Sequence, residues 1–133
     1  MKVLSLTEPF ATLIKEGKKK IETRSWKTSY RGELYIHASQ TKMAKETEGK
    51  ELMNLIQNTS LNYGYIICKC ELVDCIYMTK EYVEDMKKNH YQEYLCGEYK
   101  EGRYAFVLEN IIPLEKPIKA KGKLGLWNKE ENT

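Results

Sequence analysis

A short stretch near the N-terminus combines a lysine, a carboxylate and a guanidinium in a compact spacing. Lys19, Glu22 and Arg24 follow Gly17 in the pattern G-x-K-x-x-E-x-R. Lysine and arginine can hold a phosphate, and a carboxylate can accept from the amino group of a base or act as a general base. An arginine with a carboxylate can also recognise a nucleobase edge without any reaction. We therefore expect the site for an anionic or nucleotide-like ligand at this stretch.

Aromatic and basic residues on both sides could extend such a site. Trp26 and Tyr30 could stack on a base, which contributes about 1–3 kcal/mol per base, and Arg31 could contact a phosphate. The alternatives are packing at the edge of a barrel for the aromatic residues and an exposed turn for Arg31. Lys121 lies beside Gly122 and could complete a phosphate site, because glycine lets backbone approach a ligand closely. A flexible closing strand is the alternative there.

Three residues could move protons if the chain is an enzyme. Lys19 could act as a base or nucleophile, Glu22 as a general base and His37 as a proton carrier. His37 and Ser39 are two apart in a predicted strand and share a face, but no acid is placed to orient the histidine as in a triad. Binding at a cleft wall is the alternative for both. For the motif, the alternative is an ion pair between Glu22 and Arg24 that only orders the strands.

The spacing of the cysteines does not indicate a metal site. Cys68 and Cys70 share a strand face, whereas a zinc site usually offers C-x-x-C pairs or a nearby histidine, which only His90 could supply near Cys96. We expect buried free thiols, no metal and no cofactor. Reduced thiols and a start that runs straight into a strand-like segment predict a cytoplasmic protein, with no membrane partner.

Charge is distributed unevenly along the 133 residues. The net charge of +3 is too small to indicate a nucleic-acid-binding protein. However, residues 15–31 carry seven basic side chains against two acidic ones, and residues 116–123 carry four lysines. If the two ends of the chain meet, they form one basic surface. The length and the composition, 41% hydrophobic and 31% charged, predict a single domain over residues 1–133.

The first elements predicted from the pattern would carry the motif. Residues 2–6 read as a strand, and Thr7 can cap a helix that Gly17 ends. Strands over 20–26 and 33–39 are then predicted to pair as a hairpin. Period-2 alternation would place one set of polar and aromatic side chains on a common face: Glu22, Arg24, Trp26, Tyr35, His37 and Ser39.

The rest of the chain alternates between helices and strands. We predict a helix over about residues 42–57, a strand over 65–78, a helix from Thr79 to Met86, and a strand over 103–114 that Pro113 and Pro117 end. Residues 89–102 have no clear assignment, and a glycine-spaced tail closes on Trp127. This order predicts an α+β fold with a sheet that could curl into a small barrel.

The chain resembles the ASCH domain family, which belongs to the PUA-like superfamily of small β-barrels. The motif G-x-K-x-x-E-x-R carries the likeness together with the segments around it: 4–6, Pro9, 30–32, 36–39 and the C-terminal K-G-x-L-G-L-W of 121–127. The resemblance implies a small PUA-like mixed β-barrel with flanking helices. It also implies a cleft beside the first helix, lined by the motif, for RNA, a nucleotide or a modified nucleoside.

The resemblance leaves binding and catalysis open. Some small bacterial members look like amidohydrolases that deacetylate N4-acetylcytidine, with a lysine at the position of Lys19 and a threonine at that of Glu22. The glutamate argues against that reaction, since Thr23 would point to the opposite strand face. Another branch is described as ribonuclease-like. We expect an RNA- or nucleotide-binding domain. The alternatives are a small hydrolase acting on RNA or a modified nucleoside, and a protein-interaction module of a regulatory assembly.

Overall fold

The computed structural model describes residues 1–41, 49–56 and 59–130 of the chain. Six strands and four helices are found in that part. In chain order they are β1 (Lys2–Leu6), α1 (Phe10–Lys15), β2 (Ile21–Arg24), β3 (Gly32–Ala38), α2 (Lys50–Leu55), β4 (Tyr65–Tyr77), α3 (Lys80–Asn89), α4 (Tyr91–Leu95), β5 (Tyr104–Lys119) and β6 (Leu126–Asn128).

The strands form one mixed sheet in the order β2-β5-β4-β3-β1-β6. The pair β1–β3 is parallel and the other pairs are antiparallel. Register shifts along β4 and β5 mark bulges, which bend long strands and increase their twist. The sheet curls into a half-barrel until β2, at one edge, reaches β1 near the other, where Arg24 Nη2 donates to Ser5 O at 2.7 Å. The predicted α+β fold is confirmed.

Helix α1 covers the main core between these strands. Ala11 and Ile14 are fully buried and pack with sheet residues such as Leu34 and Phe106. Gly17, at φ 77°, ends the helical segment as predicted, because glycine adopts this conformation without strain.

The predicted cap by Thr7 is wrong. The residue before α1 is Pro9, and it makes no side-chain cap. Instead the buried Glu8 carboxylate accepts from Thr12 N at 2.8 Å and from Thr12 Oγ1 at 2.5 Å. It thus provides a hydrogen-bond acceptor for a backbone N–H in the first turn of the helix.

The predicted hairpin between residues 20–26 and 33–39 is also wrong. β2 pairs with β5, which puts Glu22 opposite Phe106, while β3 lies between β4 and β1. The physical reason is burial: residues 36–38 are fully buried, so β3 needs ladder partners on both sides.

Strand β5 continues past Pro113 and Pro117 to Lys119, so the prediction that the prolines end it is wrong. Its pairing with β2 covers residues 104–107, and proline is tolerated where a strand has no partner on one side. Strand β4 is confirmed over nearly all of its predicted length.

The remaining helices agree partly with the predictions. Thr79 caps α3 by accepting from Tyr82 N, as predicted, and the helix runs to Asn89. Helix α4 fills part of the unassigned segment. Of the helix predicted over about 42–57, α2 is observed, whereas residues 42–48 and 57 lie outside the described part.

The cysteines are free thiols, and three of them are buried. Burial raises the pKa of Cys68 and Cys70 to about 12 and that of Cys96 to about 11, so these thiols stay protonated at neutral pH. None of the helices in the described part has the length and apolar character needed to cross a membrane.

Candidate functional site

Two adjoining cavities form one groove across the seam between β2 and β1. The larger has a volume of about 940 Å³ and the smaller about 490 Å³. Both are lined by four common residues, Ser5, Leu6, Thr7 and Arg24. Ser5 and Leu6 come from β1 and Arg24 from the end of β2, so the curl of the sheet creates the groove.

Three charged residues of the motif form what we call the ionic cluster: Lys19, Glu22 and Arg24. The Glu22 carboxylate lies between the two cations, with Lys19 Nζ 3.2 Å from Oε1 and Arg24 Nε 2.9 Å from Oε2. Arg24 Nη2 also donates to the Ser5 carbonyl. A guanidinium has five N–H donors, and these contacts occupy two of them. Arg24 is thus fixed at the junction of the two cavities, with donors left for a ligand.

Lys19 lies beneath the floor of the groove. It is only 1% exposed, and its ammonium donates to the carbonyls of Ile21, at 2.7 Å, and Cys96. The Phe10 ring lies 5.5 Å from Nζ. A buried cation is tolerated when carbonyls and a carboxylate surround it. In this arrangement Lys19 holds Glu22 and joins β2 to the end of α4, and it lines neither cavity.

A second set of contacts, the neutral cluster, consists of Ser5, His37, Trp127 and the carbonyl of Ala120. His37 Nε2 lies 2.7 Å from Ala120 O, and since a carbonyl only accepts, this nitrogen carries the proton. Nδ1 must then accept from the Ser5 hydroxyl, 2.9 Å away. Trp127 Nε1 donates to the same hydroxyl at 3.0 Å. Burial lowers the pKa of His37, which keeps the ring neutral at neutral pH.

Ser5, and not Ser39, is therefore the hydroxyl partner of His37. Ser5 and His37 are paired neighbours on the parallel strands β1 and β3. Ser39 follows β3, lines the smaller cavity, and accepts from Thr41 N at 3.2 Å.

The smaller cavity is cationic. Arg24, Lys121 and Lys123 line it, and no acidic residue does so within the described part of the chain. Gly122 packs on the neutral cluster: a Cβ there would lie 2.9 Å from Ser5 Oγ and 3.0 Å from His37 Cε1. The two basic segments of the sequence thus meet here, through Arg24 on one side and the two lysines on the other.

The larger cavity has a different character. Its apolar wall comes from Phe10, Leu52 and Leu95, with Tyr91 beside them. Its polar residues are mostly paired: Glu22 with Arg24, and Arg103 Nη1 with Glu98 Oε2 at 2.9 Å. The combination suits a planar, partly apolar group better than a bare anion.

Three predicted site residues lie away from the groove. Trp26 packs edge-on against Phe106, with ring centroids 5.2 Å apart. The Tyr30 hydroxyl donates to Glu33 O, and Arg31 Nη1 donates to the carbonyls of residues 28 and 30 in the same turn. None of the three lines either cavity, so the structure does not bring them to Arg24.

Sequence reasoning missed several groove residues: Ser5, Phe10, Tyr91 and Arg103. Ser5 could have been recognised as a candidate from the sequence, because it is a hydroxyl residue in the otherwise apolar run Val3–Leu6. Tyr91 lies within the unassigned segment 89–102 and Arg103 directly follows it, and no periodicity in this segment pointed to the groove.

Comparison with known proteins identifies the fold and the family. The chain matches the ASCH domain family over residues 4–118. It is 26% identical over 132 residues to human Activating signal cointegrator 1, and 25% identical to the mouse protein. Each alignment covers 93% of this chain and 21% of the relative, so the chain spans about a fifth of their length.

Solved structures of ASCH proteins share the fold. The crystal structure of ASCH from Zymomonas mobilis superposes with a TM-score of 0.62 at 18% identity, covering 98% of this chain and 88% of that one. A tyrosine-to-phenylalanine mutant of the ASCH protein from Zymomonas mobilis gives 0.56 at 21% identity, with 89% and 74% covered. With the half-barrel, the groove and the motif on its floor, the match over residues 4–118 shows that this chain belongs to the ASCH domain family.

Proposed function

We propose that the groove binds RNA or a nucleotide, with Arg24 as the central contact. The observation that carries this proposal is the position of Arg24, fixed by Glu22 and the Ser5 carbonyl where a cationic cavity meets an apolar one. A guanidinium held in this way is oriented before the ligand arrives, which lowers the entropic cost of binding. The family is generally regarded as RNA-associated, which agrees with this assignment.

The two cavities fit the two chemical parts of a nucleotide. Lys121, Lys123 and the remaining donors of Arg24 surround the smaller cavity and would neutralise phosphate. The larger cavity offers the apolar wall and Tyr91 for a base, with Glu22 and Arg24 at its polar end. Lys19 supports the site indirectly, because it holds the carboxylate that orients Arg24.

A binding experiment with matched charge removal tests the proposal. Fluorescence anisotropy with a short single-stranded RNA would be measured over a salt series for the wild type and for Lys121→Ala/Lys123→Ala. We expect affinity to fall at least tenfold and the slope of log affinity against log salt to decrease by about 1.4, as for two lost phosphate contacts. The control is Lys88→Ala/Lys100→Ala, which removes the same charge at exposed positions outside the groove.

Two results would overturn the proposal. One is equal weakening by the groove and control variants, which would indicate a general charge effect. The other is failure of the wild type to bind RNA or nucleotides at moderate salt. The lysines of the smaller cavity would then favour the remaining alternative, an interaction with an acidic protein partner.

The Ser5–His37 hydrogen bond favours hydrolysis as a second candidate function. The hydroxyl already donates to a neutral imidazole, and Ser5 lines both cavities. In such a reaction Ser5 Oγ would bond to the carbon of an acyl group, and its proton would pass to His37 Nδ1 and then to the leaving group. Water would release the acyl group by the same proton path.

Turnover assays separate this candidate from binding alone. An acylated nucleoside and an RNA oligonucleotide would be incubated with the wild type, Ser5→Ala and Ser39→Ala. Activity lost in Ser5→Ala and kept in Ser39→Ala would support hydrolysis at the Ser5–His37 pair. An inactive wild type that still binds RNA would leave binding as the function.

We also retain the cytoplasmic location as a proposal, which cell fractionation can test.

A further inference from the structure

The most exposed large apolar side chain of the described residues is Leu124, which is 99% exposed. The other exposed large hydrophobic residues in that part are 38–52% exposed. Leu124 lies in the loop of residues 120–125 that joins β5 to β6, and this loop forms one wall of the smaller cavity. An aliphatic side chain in this position gains free energy when a partner covers it.

Both ends of the 120–125 loop are held by the body of the protein. Ala120 N donates to Gly64 O at 3.0 Å, and Ala120 O accepts from His37. At the other end, Trp127 donates to Ser5 and pairs with β1. Gly125, at φ 66°, makes the turn that returns the chain into β6. Leu124 therefore projects from a loop whose two ends are fixed. A partner that binds it would pay a smaller entropic cost, because it would not have to order the whole 120–125 loop.

The side chains around Leu124 determine which partner fits. Lys121 and Lys123 lie on the same loop, and Arg24 faces them across the smaller cavity. An apolar tip between cations matches a polyanion with apolar surface between its charges, which is the arrangement of stacked bases and flanking phosphates. An anionic membrane also combines charge with apolar depth. However, one leucine buries too little area for stable membrane attachment, which usually requires a wide apolar face.

We propose that Leu124 inserts between two adjacent bases of a nucleic acid whose phosphates contact Lys121 and Lys123. This inference rests on the proposed function and makes it more specific. The ligand has at least two stacked bases, and the loop separates them at the mouth of the smaller cavity. A mononucleotide, which has no second base, would not engage Leu124.

The test uses a short RNA that carries 2-aminopurine beside a purine, because stacking quenches its fluorescence. We expect wild-type protein to increase the fluorescence as the base step opens. Leu124→Ala should abolish this increase and weaken binding roughly tenfold, while the salt slope stays unchanged because no charge is removed. Leu124→Met should restore most of both effects. Ile112→Ala, which truncates an exposed apolar residue outside both cavities, should behave like the wild type.

The outcomes distinguish this inference from the function on which it rests. If Leu124→Ala keeps full affinity and the fluorescence increase while Lys121→Ala/Lys123→Ala loses binding, the insertion is wrong and the binding function stands. If the wild type does not bind the RNA, both are wrong. If it binds vesicles of phosphatidylserine and phosphatidylcholine through Leu124 and not RNA, a membrane surface replaces the nucleic acid.

Discussion

The ionic cluster and the neutral cluster meet at Ser5, but they use different parts of it. Arg24 donates to the Ser5 carbonyl, whereas His37 and Trp127 contact its hydroxyl. The ionic cluster joins β2 to β1 through buried charge, and the neutral cluster joins the 120–125 loop to β1 without any charge. The groove is thus fixed on one side by interactions that require intact ion pairs, and on the other by interactions that depend on one imidazole remaining neutral.

Removing the buried cation of the ionic cluster should cause the largest loss of stability. Lys19→Met removes the ammonium from Glu22 Oε1 and from the carbonyls of Ile21 and Cys96, so we expect the free energy of unfolding to fall by about 3–5 kcal/mol. Urea denaturation measures this change. Lys20→Met, at an exposed neighbouring position, serves as the control. A loss for Lys19→Met as small as that of the control would mean that the ionic cluster does not hold the groove.

Filling the space above the neutral cluster should have a smaller effect. In Gly122→Ala the new Cβ would lie 2.9 Å from Ser5 Oγ, so the loop must shift outward. We expect a loss of about 1–3 kcal/mol and weaker RNA binding, as for other overpacked sites. Gly49→Ala is the control for stability alone, because a Cβ there meets nothing within 4 Å but Gly49 lines the larger cavity. Unchanged RNA affinity in Gly122→Ala would show that the position of the loop does not matter for binding.

Removing the Ser5 hydroxyl should disturb the neutral cluster and leave the ionic cluster intact. Ser5→Ala leaves the indole N–H of Trp127 and Nδ1 of His37 without a partner, but it keeps the backbone carbonyl that Arg24 uses. We expect a loss of about 1–2 kcal/mol and a change in the tryptophan emission, with the Arg24 contact retained. Emission spectra and urea melts of Ser5→Ala and Ser39→Ala provide the measurement. Equal effects in both variants would contradict a specific role for Ser5.

Acid should weaken the neutral cluster selectively. Because the pKa of His37 is lowered in the folded protein, the unfolded chain binds the proton more readily, and stability falls as pH drops below about 6.5. Urea midpoints measured between about pH 8 and pH 5 should therefore decrease more for the wild type than for His37→Gln. His90→Gln changes an exposed histidine and should keep the wild-type pH dependence. The same pH profile in all three proteins would remove His37 as the cause.

Local sequence patterns predicted where helices and strands lie better than they predicted which strands pair. Gly17 and Thr79 act on their own helices, and both were placed correctly. The hairpin failed because the choice of strand partner depends on how the whole sheet closes, which neighbouring residues do not encode. The same limit explains why Ser5 was not identified as the hydroxyl partner of His37: it lies on a parallel strand 32 residues earlier in the chain.

The charged residues of the motif lie together in the folded chain, but they differ in depth. Spacing placed Lys19, Glu22 and Arg24 together, as the structure has them. The spacing could not indicate that Lys19 lies beneath the floor of the groove while Arg24 faces the two cavities. That difference arises from the carbonyls of Ile21 and Cys96, which surround the ammonium only in the folded chain.

The closure between β2 and β1 has a mechanical consequence. The two strands are not neighbours in a hydrogen-bonded ladder, and the Arg24–Ser5 contact spans the seam. Separating them there breaks a hydrogen bond to a charged donor, about 1.5–3 kcal/mol, whereas separating any adjacent strand pair breaks a series of backbone bonds. The seam is therefore joined by fewer hydrogen bonds than the strand pairs of the sheet, and it runs along the groove. A phosphate that binds the remaining donors of Arg24 would contact the residue that joins the two strands there.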